Sequence, residues 1–344
     1  MTRRLAVAAV LLLVALPRSS SAEGTPTPIE ARYAHLGPYK VASDTVSDAA
    51  GTPRYQLLFP ADIGTDGQRH PIVTWGNGSF ASPTQYERLL YHLASWGFVV
   101  VAANTDQAGT GVEILDGVRL LLAADQDPAS RFFAALDTGH IAAIGHSQGA
   151  GGAVRATVAS NGLITTVVTI ALPHELFVLE PPKTYDVAGI PAPVLFLGAR
   201  NDALISGAGT NLRFFDEVSV PAAVGVLTAA DHNTIQASGG GFLGYITAWL
   251  QYRLRDDPDA ARAFAGDAPE LLTNPAWQAQ RTKGLLLPLP IAMSGSGGPA
   301  LPITGAASAA VPGLLLLAAA LAAAHLHRKP ATPGRQDRDH VSQV

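Results

Sequence analysis

The stretch Ile141-Ala142-Ala143-Ile144-Gly145-His146-Ser147-Gln148-Gly149-Ala150 decides how the rest of this chain is read. An apolar run of strand character enters Gly-x-Ser-x-Gly, and small residues of helical character continue from Ala150 to Ala159. A serine so flanked sits on a tight, strained turn between a strand and a helix. Glycines two residues to either side let neighbouring backbone approach it closely. His146, inside the turn, reads as structural.

Outward from this turn the chain alternates between two kinds of segment. Strand-length apolar runs occur at Arg54–Phe59, Pro71–Trp75, Phe98–Ala103, His140–Ile144, Ile164–Ala171, Val194–Leu197 and Val224–Thr228, the last read as the final strand. Most are continuous rather than alternating, as strands covered on both faces must be. Helical patterns fall between them at Thr84–Trp96, Gly111–Ala124, Gln148–Ala159, Asn211–Val218 and Phe242–Arg255. The order predicts an α/β domain over residues 23–280, with a mostly parallel central sheet flanked by helices and no evident lid. Residues 23–36 read as an irregular lead-in.

A serine hydroxyl is a weak nucleophile at neutral pH and needs a positioned base, itself oriented by a carboxylate. In a sheet of this kind such partners follow the serine in chain order, each just beyond a strand's C-terminal end. Asn201-Asp202 follows the strand ending at Leu197, and Asp231-His232 follows the strand ending at Thr228. Asp202 is therefore the expected acid and His232 the expected base. Asp231 and Asp216 are poorer acids because neither follows a strand as Asp202 does. A developing oxyanion would need two donors: the Gln148 amide after the nucleophile, and the Ser79 amide in the loop Gly76-Asn77-Gly78-Ser79-Phe80.

Composition narrows the alternatives. The 344 residues carry a net charge of −4, with no basic footprint for nucleic acid. Cysteine is absent, which excludes disulfides, thiolate metal sites and a cysteine nucleophile. No cofactor or metal is expected, since His174-Glu175 and the scattered aspartates form no recognisable ligand set.

Both ends carry targeting patterns. Arg3 and Arg4 precede an apolar run from Leu5 to Leu16, then Pro17 and small residues, so residues 1–22 read as an export signal. Residues 281–300 read as a Pro-, Gly- and Ser-containing linker. Leu301-Pro302-Ile303-Thr304-Gly305 is followed by an apolar stretch over 306–325, long enough to approach a bilayer's hydrocarbon thickness, and then a basic tail over 326–344. This three-part order resembles the LPxTG sorting signal of Gram-positive surface proteins, which implies a sortase acting at Thr304-Gly305. A permanent membrane anchor is the alternative, and either places the domain at the cell surface.

The middle of the chain resembles the bacterial cutinase and polyester-hydrolase family of the α/β-hydrolases. The resemblance rests on Pro71 to Phe98 with Leu93-Ala94-Ser95-Trp96-Gly97-Phe98 at its end, on Gly145–Gly149, on Asn201-Asp202, on Asp231-His232, and on Ala248-Trp249-Leu250 through Phe264. It implies a lidless serine esterase with an open cleft, cleaving carboxylic esters through an acyl-enzyme on Ser147. The same residues would serve acyl transfer to a hydroxyl acceptor, and the fold could also serve a non-catalytic surface module. Three positions depart from the family pattern. Ser79 stands where the family has an aromatic residue, with Phe80 a partial replacement; Gln148 stands for methionine; and His174 falls near the cleft tryptophan. Phe80 and His174 are thus the expected cleft residues, and a more polar cleft is expected. The family's C-terminal disulfide is also missing.

Overall fold

The structure is a computed structural model that describes residues 28–178 and 184–289. In chain order its main elements are α1 (Ile29–Ala34), β1 (Val41–Ser47), β2 (Pro53–Pro60), β3 (His70–Gly76), α2 (Glu87–Ser95), β4 (Val99–Ala103), α3 (Val112–Gln126), β5 (Leu136–His146) and α4 (Gln148–Ala159). There follow β6 (Thr166–Ile170), β7 (Val194–Ala199), α5 (Ala208–Glu217), β8 (Ala222–Leu227), α6 (Leu243–Arg255), α7 (Pro258–Ala261) and β9 (Trp277–Lys283). The strands form one nine-stranded sheet in the order β1-β2-β4-β3-β5-β6-β7-β8-β9. Strands β4, β3, β5, β6, β7 and β8 are mutually parallel, while β1, β2 and β9 pair antiparallel at the two edges. This is the expected fold class.

The continuous apolar runs are explained by two cores, one on each face of the sheet. Because side chains alternate along a strand, Val73, Trp75, Val100, Ala142, Ile144, Val168 and Leu195 join one core. That core is closed by α2 and α6 through Leu89, Leu93, Ile246 and Trp249. Their neighbours Ile72, Val99, Val101, Ile141, Ala143, Val167, Val194 and Phe196 face the other, closed by α3, α4 and α5 through Ile114, Val118, Val154 and Phe214. Burial on both sides leaves no polar face, so these strands carry no alternation. Crossover connections between parallel strands then place every β-to-α loop at the same sheet edge, and the candidate site is built there.

Three expectations are corrected. The lead-in is not wholly irregular: α1 is held at its N-terminus by Glu270, whose carboxylate accepts the amides of Ile29 and Glu30. The strand at Ala222–Leu227 is not the last, because β9 pairs with it from Leu227↔Trp277 to Ala222↔Lys283. Strand β9 therefore carries the domain past the boundary expected at residue 280, and Leu285 packs against the core beyond it. The leader expected over 1–22, the expected sorting pentapeptide, the apolar stretch and the basic tail lie outside the described residues. Among the described residues no helix is long and apolar enough to cross a membrane.

Candidate active site

Strand β5 runs straight into Ser147, whose backbone takes φ 52°, ψ −122° before α4 begins at Gln148. A non-glycine residue at positive φ is strained, and such strain persists only where the surroundings over-determine it. Here they do so through close backbone approach. A Cβ on Gly145 would overlap the backbone of Gly149, and a Cβ on Gly149 would overlap the Gly76 carbonyl at the end of β3. The Ser147 amide donates to Ile170 O at 2.9 Å, fixing the turn to β6.

The loops after β7 and β8 are laced together: Arg200 N–H donates to Leu227 O at 2.9 Å and Asn201 N–H to Ala230 O at 2.9 Å. This lacing sets Asp202 beside His232. His232 Nδ1 lies 2.6 Å from Asp202 Oδ2, and His232 Nε2 lies 2.9 Å from Ser147 Oγ. A carboxylate can only accept, so Nδ1 carries the proton and Nε2 is free to accept from the serine hydroxyl. Asp202 is buried, and its Oδ1 accepts the Ile205 amide at 3.3 Å, which gives the carboxylate a second tether beside His232. The two rejected acids are engaged elsewhere. Asp231 Oδ1 accepts from Asn233 N at 3.0 Å and Thr234 Oγ1 at 2.9 Å within its own loop, and Asp216 pairs with Arg281 at 3.1 Å.

His146 is buried directly behind this group. Its Nε2 lies 2.7 Å from the carbonyl oxygen of His232 and its Nδ1 2.9 Å from the Tyr86 hydroxyl. Burial, and secondarily the nearby His232 ring, push its pKa down to about 3, so it is neutral across the working range. The sign of the consequence follows. A histidine whose folded pKa lies below its unfolded value contributes stability above pH 6.5 and loses it as pH falls toward about 3. Relative to a His146→Gln variant, the wild type is expected to lose about 2 kcal/mol of unfolding free energy between pH 7 and pH 5. Parallel urea denaturation of both proteins at the two pH values reads this; a pH-independent difference would show that His146 does not stay neutral.

Ser147, Gln148 and His232 open into a cleft of about 400 Å³. Polar groups enter its lining from Ser79, Gln148, Asn233 and Gln236. Pro173, Leu176, Phe177, Val178, Tyr185 and Ile205 bring apolar surface to the same lining. Ser79 and Gln148 are thus brought to the serine, whereas the other two expected cleft residues are not part of this lining. Phe80 follows Ser79 in the chain, 80% exposed and at φ 62°. His174 turns its Nδ1 to the Leu176 amide at 3.2 Å and caps the short 3-10 turn Glu175–Phe177. Beside the polar groups of Ser79 and Gln148 the lining carries this apolar set, which the sequence hinted at only through the apolar run Leu176-Phe177-Val178. Among the described residues no group of three or more His, Cys, Asp or Glu could hold a metal ion.

A doubly covered, mostly parallel sheet with a strained serine at the end of its central strand, and an acid and a histidine on two later loops, defines the α/β-hydrolase class. Residues 17–282 match the family described as PET hydrolase-like, and this chain belongs to that family of ester hydrolases. It is 29% identical over 266 residues to the bis(hydroxyethyl) terephthalate hydrolase of Streptomyces coelicolor, an alignment covering 73% of this chain and 81% of that protein.

Proposed function

We propose that this protein is a serine carboxylic ester hydrolase that works through an acyl-enzyme on Ser147. His232 Nε2 takes the hydroxyl proton as Ser147 Oγ attacks the ester carbonyl, and Asp202 holds the imidazole in the tautomer this requires. The oxyanion is received by the amides of Ser79 and Gln148; the latter opens helix α4, where the first amides have no intrahelical acceptor. The tetrahedral species collapses, His232 returns its proton to the departing alcohol, and water then repeats the sequence on the acyl-enzyme. The observation that carries this reading is the continuous chain from Ser147 Oγ through His232 to Asp202 at 2.9 and 2.6 Å, opening into a cleft.

The substrate proposal rests on the mixed polar and apolar lining of the cleft and on the Streptomyces relative. An aryl or short alkyl acyl group lies against Leu176, Phe177 and Tyr185, while polar substituents face Gln148, Asn233 and Gln236. Bis(hydroxyethyl) terephthalate, an aryl diester with hydroxylated arms, has both features. A panel comparing it with p-nitrophenyl acetate, butyrate and palmitate tests this: turnover of the terephthalate and the short esters is expected, and preference for the palmitate would overturn the substrate assignment. The two ends of the chain support an exported, surface-held enzyme. Recovery of the native protein in the cytoplasmic fraction of its host would overturn that placement.

A further inference from the structure

We propose that Tyr86 and His146 form a buried one-way hydrogen-bond relay that fixes the oxyanion loop to the histidine loop, making both positioning residues for the reaction. The inference rests on the triad reading above and deepens it.

The direction of every bond in the relay is set by chemistry. The Gly78 amide can only donate, and it does so to the Tyr86 hydroxyl at 3.1 Å. The Gln236 side-chain amide donates to the same oxygen at 3.4 Å. With its oxygen accepting twice, Tyr86 spends its single proton on His146 Nδ1 at 2.9 Å. An imidazole accepting at Nδ1 carries its proton on Nε2, and that proton goes to the His232 carbonyl, which can only accept, at 2.7 Å. The chain thus runs Gly78 to Tyr86 to His146 to His232 without a free choice, and it requires His146 to be neutral, as its burial dictates.

Three consequences follow for the site. The Gly78 amide is engaged, so the next amide along the loop, that of Ser79, is the one this proposal leaves for the oxyanion, and Ser79 lines the cleft with Ser147. The backbone of the base is held from behind by a residue adjacent to the nucleophile, so Ser147 and His232 are placed from one buried point. Third, Gly78 must lack a side chain, because a Cβ there would come within 2.9 Å of His146 Nδ1 and 3.0 Å of the Tyr86 hydroxyl. Both relay side chains are fully enclosed, and Tyr86 is further braced by Trp75, ring centroids 4.8 Å apart. Displacing reacting groups by about 1 Å costs on the order of 10²-fold in rate, which sets the scale of what such a brace protects.

The test is steady-state kinetics on p-nitrophenyl butyrate, with kcat expressed per Ser147 titrated by a fluorophosphonate. Tyr86→Phe keeps the ring and deletes the hydroxyl; kcat is expected to fall about tenfold or more while KM stays within about twofold. His146→Leu is expected to fall similarly. His146→Gln, whose amide can accept from Tyr86 and donate to the His232 carbonyl, is expected to recover most of the loss. The double variant Tyr86→Phe with His146→Leu should be no slower than the slower single, because both cut one chain. Wild-type kcat in Tyr86→Phe, a loss confined to KM, or losses that multiply would overturn the relay. Should Tyr86→Phe fail to fold, equal kcat in the His146→Gln and His146→Leu pair overturns it alone. A wild type that turns over ester but is not titrated at Ser147 would instead remove the triad reading beneath it.

Discussion

Alanine at position 147 is expected to lower kcat for p-nitrophenyl butyrate by roughly 10⁴-fold or more, with little change in thermal stability. The size follows from the loss of covalent catalysis: without Oγ no acyl-enzyme forms, and the oxyanion amides and the cleft can only assist direct attack by water. The unchanged stability follows from the local structure. Ser147 Oγ contacts His232 at the cleft, and the strained backbone at φ 52° is imposed by the close approach of Gly145, Gly149 and Gly76 rather than by the serine side chain. Steady-state rates and melting curves on the same preparations read both halves. Turnover retained at more than about a hundredth of the wild-type rate would take Ser147 out of the mechanism.

The second large effect is expected from Asp202→Asn, a fall of about 10⁴-fold in kcat near neutral pH. Asp202 uses its two oxygens differently: Oδ1 accepts the Ile205 amide and Oδ2 faces His232 Nδ1. In the variant the remaining carbonyl oxygen stays with the Ile205 donor, which turns the new amide group toward His232. Two N–H groups cannot face each other, so the imidazole moves its proton to Nε2 and can no longer accept from Ser147. Asp231→Asn and Asp216→Asn serve as controls, since their carboxylates bond within their own loop and to Arg281. Changes within about threefold are expected for both. A loss at Asp231 equal to that at Asp202 would mean that the acid had been assigned to the wrong loop.

What could be read from the sequence follows the physics of each segment. The strands from β3 to β8 were legible because burial on both faces demands unbroken apolar runs, and α4 was placed at its observed bounds because the serine turn dictates where it starts. Strands β1 and β9 were not. Val41–Ser47 and Trp277–Lys283 lie at the sheet's two edges, pair on one side only and carry polar side chains toward water, so they read as loop. The convergence of Ser147, Asp202 and His232 was legible because each sits at the end of a recognisable strand. The apolar part of the cleft lining was not, because Pro173, Leu176, Phe177, Val178 and Tyr185 acquire their meaning only from where the chain folds them. Nor was the relay: Tyr86 and His146 stand 60 positions apart, and His146 and the carbonyl it serves stand 86 apart. The sequence marks His146 as structural, and its buried hydrogen bonds to Tyr86 and to the His232 carbonyl say how.

The central claim is that three distant loops make one hydroxyl uniquely reactive. Treatment of the native protein with a fluorophosphonate, followed by intact mass measurement and peptide mapping, tests it most directly. The account predicts one adduct per chain, carried by the peptide containing Ser147 and lost when the protein is unfolded before treatment. An adduct on another residue, or ester turnover that persists in protein left unmodified at Ser147 by excess reagent, would contradict it.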